Sequence, residues 1–331
     1  MDKFTQFIGI DISKDYFDVA IYVDANSCKH NQFENTKTGV DQFMKWMKSE
    51  GCCVEETLIC MEHIGIYKNI LVDILLSKNC NLWVEMAYRI IRSSGIQRGK
   101  NDKIDSKRIA LYAKKNQEEA KLFKASKAVL NKIQALLGQR EMSIAHKTAI
   151  EVRTNEFKGF NDELYKVLSK NDKAIIKALE NAIKVIEEQL NTLIRENQEV
   201  SEIFDCVISV RGVGDITAMF LICYTNAFTS FEDSRQLASY CGVVPFEYTS
   251  GKSVRGKAKV HFMANKKLKK LLHLCALSAV RWDPEIRAYY ERKVGEGKHK
   301  MLVLNNVRNK LVQRICSCVR NKKAYEVRQV A

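Results

Sequence analysis

Proline is nearly absent from this 331-residue chain, with two residues against 15 glycines. That composition excludes collagen-like, proline-rich disordered and disulfide-scaffold classes. No apolar stretch reaches the ~20 residues that a membrane-crossing helix needs. The opening residues, Met1-Asp2-Lys3-Phe4-Thr5, lack the hydrophobic core of a signal peptide. Cysteine is plentiful, but its pairing patterns are missing. Eleven is an odd number, no CxxC occurs, and Cys60, Cys223 and Cys275 lie among apolar residues as small core side chains. A reducing cytoplasm fits this usage, whereas a secreted framework or a zinc site does not. Acidic residues are scarce in one region only. Residues 251–331 hold 21 Lys/Arg against 5 Asp/Glu, a charge of +16, while the rest of the chain carries 33 basic and 34 acidic residues. Such a lopsided basic segment is the footprint of a surface that binds phosphate backbones, more than of a merely soluble one.

The length and a hydrophobic content of 46% allow two domains and a connector. Thr5 to Asp11 is a short apolar run ending in an acid, and Tyr16, Phe17, Val19, Ile21 and Val23 continue with strand-like residues, so a hairpin is expected. Helical spacing over 39–50 is followed by a second apolar run ending in an acid, Thr57 to Glu62. A helix around 66–78, a strand at Asn81–Glu85, a basic stretch from Arg89 to Lys103 and a helix from near Asp105 to Lys115 complete an α/β domain with a mixed sheet.

Residues 124–200 contain no proline, and Ile176, Leu179, Ile183, Ile186, Leu190 and Leu193 recur at spacings of three and four. This is a coiled-coil seam or one face of a helical hairpin, and a break near Lys158-Gly159-Phe160-Asn161 favours two antiparallel helices. Self-association through this arm and internal packing both remain open. Beyond Ser201, the segment Ile208 to Ala218 has the glycine pattern of a helix-hairpin-helix turn, suited to DNA phosphates or to an ordinary helix connection. The remainder reads as helical, with one polar loop at Tyr248–Lys259.

Four acids stand out by context. Asp11 and Glu62 each close a strand, and Asp102 and Asp105 stand three apart at a helix start, on one face. Converging carboxylates suit Mg²⁺ or Mn²⁺, hard cations that also accept phosphate oxygens, and a metal pair about 4 Å apart stabilises both oxygens of a phosphodiester exchange. Taken singly, Asp11 is a plausible turn residue, and Asp102 and Asp105 are plausible helix caps.

The segments Ile8-Gly9-Ile10-Asp11-Ile12-Ser13-Lys14, Met61-Glu62-His63-Ile64-Gly65 and Asn101-Asp102-Lys103-Ile104-Asp105 resemble the DEDD domain of bacterial insertion-sequence transposases. That family includes Piv-type invertases and recombinases guided by a bridge RNA. The resemblance continues through Val207 to Gly214, through Phe231 to Pro245, and most specifically at Tyr248-Thr249-Ser250-Gly251-Lys252-Ser253-Val254-Arg255-Gly256. It implies an N-terminal RuvC-like domain of RNase H-type fold over 1–120, a helical coiled-coil arm over 121–200, and a mostly α-helical transposase domain over 201–331. It implies a catalytic, Mg²⁺- or Mn²⁺-binding set of Asp11, Glu62, Asp102 and Asp105, with Ser250 as nucleophile. His63-Ile64 stands where the family commonly has Ala-Thr, but no carboxylate is lost.

A serine hydroxyl is a weak nucleophile that needs a base, a metal or a polarised phosphate. Lys252, Arg255 and Lys257 flank Ser250, while His261 and His273 have no paired acid in view. Ser239 and Ser253 are rival nucleophiles on chemistry alone, and a plain turn is the bland reading of Ser250-Gly251. Candidate nucleic-acid contacts are Arg98, Lys100, Lys103, Arg211, Lys252, Arg255, Lys257, Lys259, Lys266 and Lys267. The resemblance implies DNA strand exchange through a phosphoserine, on element ends and target DNA, with a structured guide RNA and a homo-oligomer, a dimer or tetramer. The competing readings are a RuvC-like junction endonuclease without a covalent intermediate and a non-catalytic nucleic-acid-binding descendant.

Overall fold

The computed structural model describes residues 4–22, 28–63, 65, 67–93, 101–123, 128–250 and 254–326, and only the backbone at 247–250, 254, 255 and 257. It divides into two compact units, 1–125 and 126–331.

In the first unit, β1 (Gln6–Ile12) and β2 (Tyr16–Tyr22) form the expected hairpin, and β3 (Cys28–Glu34) extends it. The second apolar run is β4 (Thr57–Glu62), which pairs with β1 in parallel, and β5 (Asn81–Glu85) pairs with β4 in parallel. The resulting five-stranded mixed sheet has the order β3-β2-β1-β4-β5. Residues alternate between its two faces. One face presents Ile8, Ile10, Phe17, Val19, Ile59, Met61 and Leu82 to α1 (Lys37–Ser49) and α2 (Asn69–Ser77). The other presents Phe7, Leu58, Cys60 and Trp83 to α4 (Asp102–Lys115), with Ile90 of α3 (Ala87–Ser93) alongside. β4 is buried on both faces, which is why it reads as an unbroken apolar run.

Three features of this unit differ from the sequence expectation. β3 is a polar edge strand, Cys-Lys-His-Asn-Gln-Phe-Glu, of which only Phe33 is buried; the backbone register to β2 holds it, and no apolar alternation marks it. The short α3 overlaps the start of what reads as a basic stretch. Helix α4 begins at Asp102, three residues early, because the Asn101 side chain accepts the Ile104 N–H at 2.8 Å and caps it.

In the second unit, α5 (Ala128–Asn155) and α6 (Asp162–Arg195) run antiparallel. Arg140 pairs with Glu187, Lys147 with Glu180, and Thr154 with Asp172, so one number falls as the other rises. Gly159, at φ +78°, takes the left-handed turn between them, and Asn161 caps α6. At the base of the arm Ile186, Leu190 and Ile194 join a common core with α7 (Gln198–Ile208), α8 (Asp215–Tyr224), α9 (Ser234–Tyr240), α10 (Lys266–Trp282), α11 (Pro284–Gly295) and α12 (Lys300–Asn321). Between α7 and α8, Gly212 at φ +92° lies against α10, where a Cβ would meet the Ala279 nitrogen at 2.7 Å. The stretch read as a polar loop at 248–259 is instead a two-stranded hairpin, β6 (Phe246–Ser250) and β7 (Val254–Lys259). Its polar composition hides the strands, since a solvated ribbon needs no buried apolar face. Among the described residues no helix is long and apolar enough to cross a membrane, and all eleven cysteines are unpaired.

Candidate active site

The geometry of the first unit turns on one register. Asp11 stands directly opposite Asp18 on β2, and Asp18 opposite Gln32 on β3. On the other side, the parallel register that runs to Ile10–Met61 sets Asp11 beside Glu62, and Glu62 pairs with Glu85. Period-two alternation puts all of these side chains on the α4 face. A lateral row, Gln32–Asp18–Asp11–Glu62–Glu85, therefore crosses the whole sheet with four adjacent carboxylates. Like charges directly opposite one another destabilise a sheet, so such a row needs compensation.

The two ends of the row have it. Asp18, 5% exposed, is held by His30 Nε2 at 2.7 Å and Gln32 Nε2 at 2.9 Å. Glu85, 8% exposed, accepts the Met86 N–H at 2.7 Å, Arg89 Nη1 at 3.3 Å and the Tyr112 hydroxyl at 3.3 Å. Burial, then the Glu85 charge, pushes the Tyr112 hydroxyl up to about 12. Asp11, in the middle of the row, is strained electrostatically. Burial first, then the charges of Glu62, Asp102, Asp105 and Asp18, raise Asp11 to about 6.

Asp102 and Asp105 reach this field because α4 crosses β1 at close range. Gly9 makes the approach possible, for a Cβ there would lie 2.1 Å from the Ala110 nitrogen and 2.2 Å from the Ser106 oxygen. With Asn101 as the cap, neither acid caps the helix. Asp105 is paired with Arg108 at 2.7 Å, and Asp102 is exposed in the first turn. Among the described residues, no three His, Cys, Asp or Glu side chains stand close enough to hold a metal ion as they are. The donor set nevertheless fits a hard divalent cation chemically. It is all carboxylate and partly buried, and its other members raise the charging cost of Asp11, which a cation relieves.

The other sequence candidates lie elsewhere. Ser250 ends β6, in register with Val254. Its side chain, and those of Arg255 and Lys257, lie outside the described residues, as do Arg98, Lys100 and Lys252 altogether. Lys103, Arg211, Lys259 and Lys266 are exposed. Lys267 is engaged: it pairs with Glu141 of α5 and sits 4.9 Å from the centre of the Phe220 ring. Asp18 and Glu85 were not singled out from sequence. Counting outward from the turn at 13–15 pairs Asp11 with Asp18, and Glu85 closes a third apolar run, so a weak signal for both was present.

Two family models match the chain in order. One, described as a transposase and of the IS110 DEDD type, covers residues 8–157; the other, described as "Transposase IS116/IS110/IS902 family", covers residues 205–291. The chain is similar to the pilin gene-inverting protein of Moraxella lacunata, 25% identical over 97% of this chain and 98% of that one. The pilin gene-inverting protein of Moraxella bovis matches to the same extent. An IS110 insertion-element 43.6 kDa protein of Streptomyces coelicolor is 30% identical over 148 residues, 45% of this chain and 35% of its own length. The acids lie within the first match and Ser250 within the second, and with both parts present in the family's order this chain belongs to the IS116/IS110/IS902 family of transposases.

Proposed function

We propose that this transposase-family DNA recombinase cleaves and rejoins DNA through a covalent serine intermediate, with Asp11, Glu62, Asp102 and Asp105 holding divalent metal. The observation that carries the reading is the electrostatic convergence on Asp11, whose carboxyl is raised to about 6 by burial and by the other three acids. A carboxylate perturbed by burial together with specific charged neighbours is a functional-site candidate. The sheet order β3-β2-β1-β4-β5, an antiparallel meander continued by two parallel strands, supports assignment to the RNase H-like, RuvC-like class.

Bound Mg²⁺ or Mn²⁺ would supply Lewis-acid stabilisation of the phosphodiester. Asp11 and Glu62 offer carboxylates from the sheet, and Asp102 and Asp105 offer theirs from the first turn of α4. Ser250 Oγ forms a bond to phosphorus as the DNA P–O bond breaks. The released strand end leaves as a hydroxyl carrying the proton lost by the serine, and attack by a DNA hydroxyl reverses the step and rejoins the strand. Arg255, Lys257 and Lys252 flank the serine in sequence, where cations stabilise charge on the phosphate.

In this reading residues 1–120 are the acidic catalytic domain, 121–200 an arm, and 201–331 the serine domain. The C-terminal charge of +16 over residues 251–331 suits DNA together with a structured guide RNA. A homo-oligomer is supported by the arm, where Val152, Phe160, Val167 and Ile175 are each more than half exposed.

A suicide DNA substrate carrying the element junction, incubated with candidate RNA and Mg²⁺, tests the proposal. A denaturation-resistant protein–DNA adduct that Ser250→Ala and Asp11→Ala both abolish is expected. Cleavage without an adduct, indifferent to Ser250→Ala, would instead mean hydrolysis by a RuvC-like endonuclease.

A further inference from the structure

Asp18 lies outside the four acids given roles above, yet it is the most completely buried carboxylate of the lateral row, at 5% exposure. Its position is costly. The antiparallel register places it directly across from Asp11, on the same face, where two like charges repel. A purely structural role at this point would be better served by a neutral side chain. β3 instead supplies two polar residues that fix the carboxylate: His30 Nε2 at 2.7 Å on Oδ1 and Gln32 Nε2 at 2.9 Å on Oδ2. An ionised carboxylate can only accept hydrogen bonds, so both neighbours act as donors, and both oxygens of Asp18 are in use. The otherwise polar edge strand β3 has just one buried side chain, Phe33. Two of its polar residues, Gln32 opposite Asp18 and His30 opposite Ala20, are both spent on Asp18.

We propose that Asp18, clamped by His30 and Gln32, is a positioning residue for Asp11. It fixes a negative charge beside Asp11 that tightens the grip of the acidic site on a divalent cation, without becoming a ligand itself. The inference rests on the reading of Asp11, Glu62, Asp102 and Asp105 as a divalent-cation site. Partners that orient or polarise a ligand from behind typically change metal affinity by roughly 10- to 100-fold when removed. The His30–Asp18 contact has the form of such a support, displaced by one strand from the ligand it serves.

The test is calorimetric titration of the full-length protein with Mn²⁺, alongside thermal melting with and without Mn²⁺. Wild type is compared with Asp18→Asn, His30→Gln, His30→Leu and Asp11→Asn. Asp18→Asn is expected to weaken Mn²⁺ binding roughly tenfold and to shrink the Mn²⁺-induced rise in melting temperature. His30→Leu, which leaves Asp18 one donor short, is expected to weaken it severalfold, and His30→Gln, which keeps a donor, to restore it to within about twofold. If Asp18→Asn lowers the metal-free melting temperature but leaves the Mn²⁺ constant unchanged, Asp18 is merely structural and the inference falls. Should Asp18→Asn fail to fold, the His30 pair decides by the same criterion. Wild-type Mn²⁺ binding that is absent, or indifferent to Asp11→Asn, overturns the cation site itself; binding lost in Asp11→Asn but intact in the Asp18 and His30 variants overturns only the inference.

Discussion

Gly9 on β1 and Ala110 on α4 touch backbone to backbone: a Cβ at Gly9 would lie 2.1 Å from the Ala110 nitrogen. That approach brings the first turn of α4, with Asp102 and Asp105, over the strand that carries Asp11. Gly9→Ala must therefore push the helix off the sheet. The expected cost is about 1–3 kcal/mol, as for other overpacked cores, read as a lower denaturation midpoint. Strand cleavage should fall by more than the unfolded fraction explains, because the surviving folded molecules have the two helix acids displaced. A folded Gly9→Ala variant with wild-type activity would show that close helix approach does not set the site.

Asn101 separates capping from chemistry at the same helix. Its side chain accepts the Ile104 N–H at 2.8 Å, leaving Asp102 and Asp105 outside the capping role. Asn101→Ala should cost about 1 kcal/mol, and Asn101→Asp or Asn101→Ser should recover most of it. Urea denaturation of the three variants checks the ranking. An unchanged midpoint in Asn101→Ala would remove the capping account.

Asp11 gives a pH dependence whose sign can be worked out. Its carboxyl is raised to about 6 from 3.8, so the metal-free folded state holds the proton more tightly than the unfolded chain does. Stability from this group is present at acid pH and is lost as pH rises from about 4 through 6. Because the side chain is partly exposed, the loss is on the order of 1 kcal/mol after screening. Asp11→Asn should flatten this part of the stability profile and raise metal-free stability at pH 7.5. Added Mn²⁺ should offset the loss in wild type only. A metal-free wild type more stable at pH 7.5 than at pH 5, with Asp11→Asn unchanged from it, would contradict the repulsion seen around Asp11.

What could be read from the sequence follows burial. β1, β4 and β5 were legible because their apolar runs are set by a two-sided core, and each run's closing acid marks the edge of that core. α5 and α6 were legible from periodicity and from the Gly159 break. β3 was not, since an exposed edge strand carries polar residues and owes its place to a backbone register that side chains do not announce. The same gap hid Asp18's place in the acidic row. Asp11 and Glu62 stand out as strand-terminal acids, but Asp18 gains its meaning only from lying opposite Asp11, and its partners His30 and Gln32 sit on the strand that sequence missed. The β6–β7 hairpin was read as a loop for the same reason.

The arm supplies the last prediction. Its base is buried at Ile186, Leu190 and Ile194, but toward the far end the apolar side chains emerge: Phe160 is 90% exposed, Val152 55% and Val167 53%. Single exposed apolar residues are ordinary, whereas a contiguous patch of them marks a contact surface, and these three are the arm's candidates for one. The ion pairs Arg140–Glu187 and Lys147–Glu180 already join α5 to α6, so the exposed group is not needed to close the hairpin. Phe160→Ser combined with Val167→Ser should then leave unfolding free energy within about 0.5 kcal/mol, while shifting sedimentation equilibrium toward monomer. Covalent adduct formation should fall with the loss of assembly and recover at higher protein concentration, which a folding defect would not do. Unchanged association would place any self-contact elsewhere on the chain and leave the arm as internal packing alone.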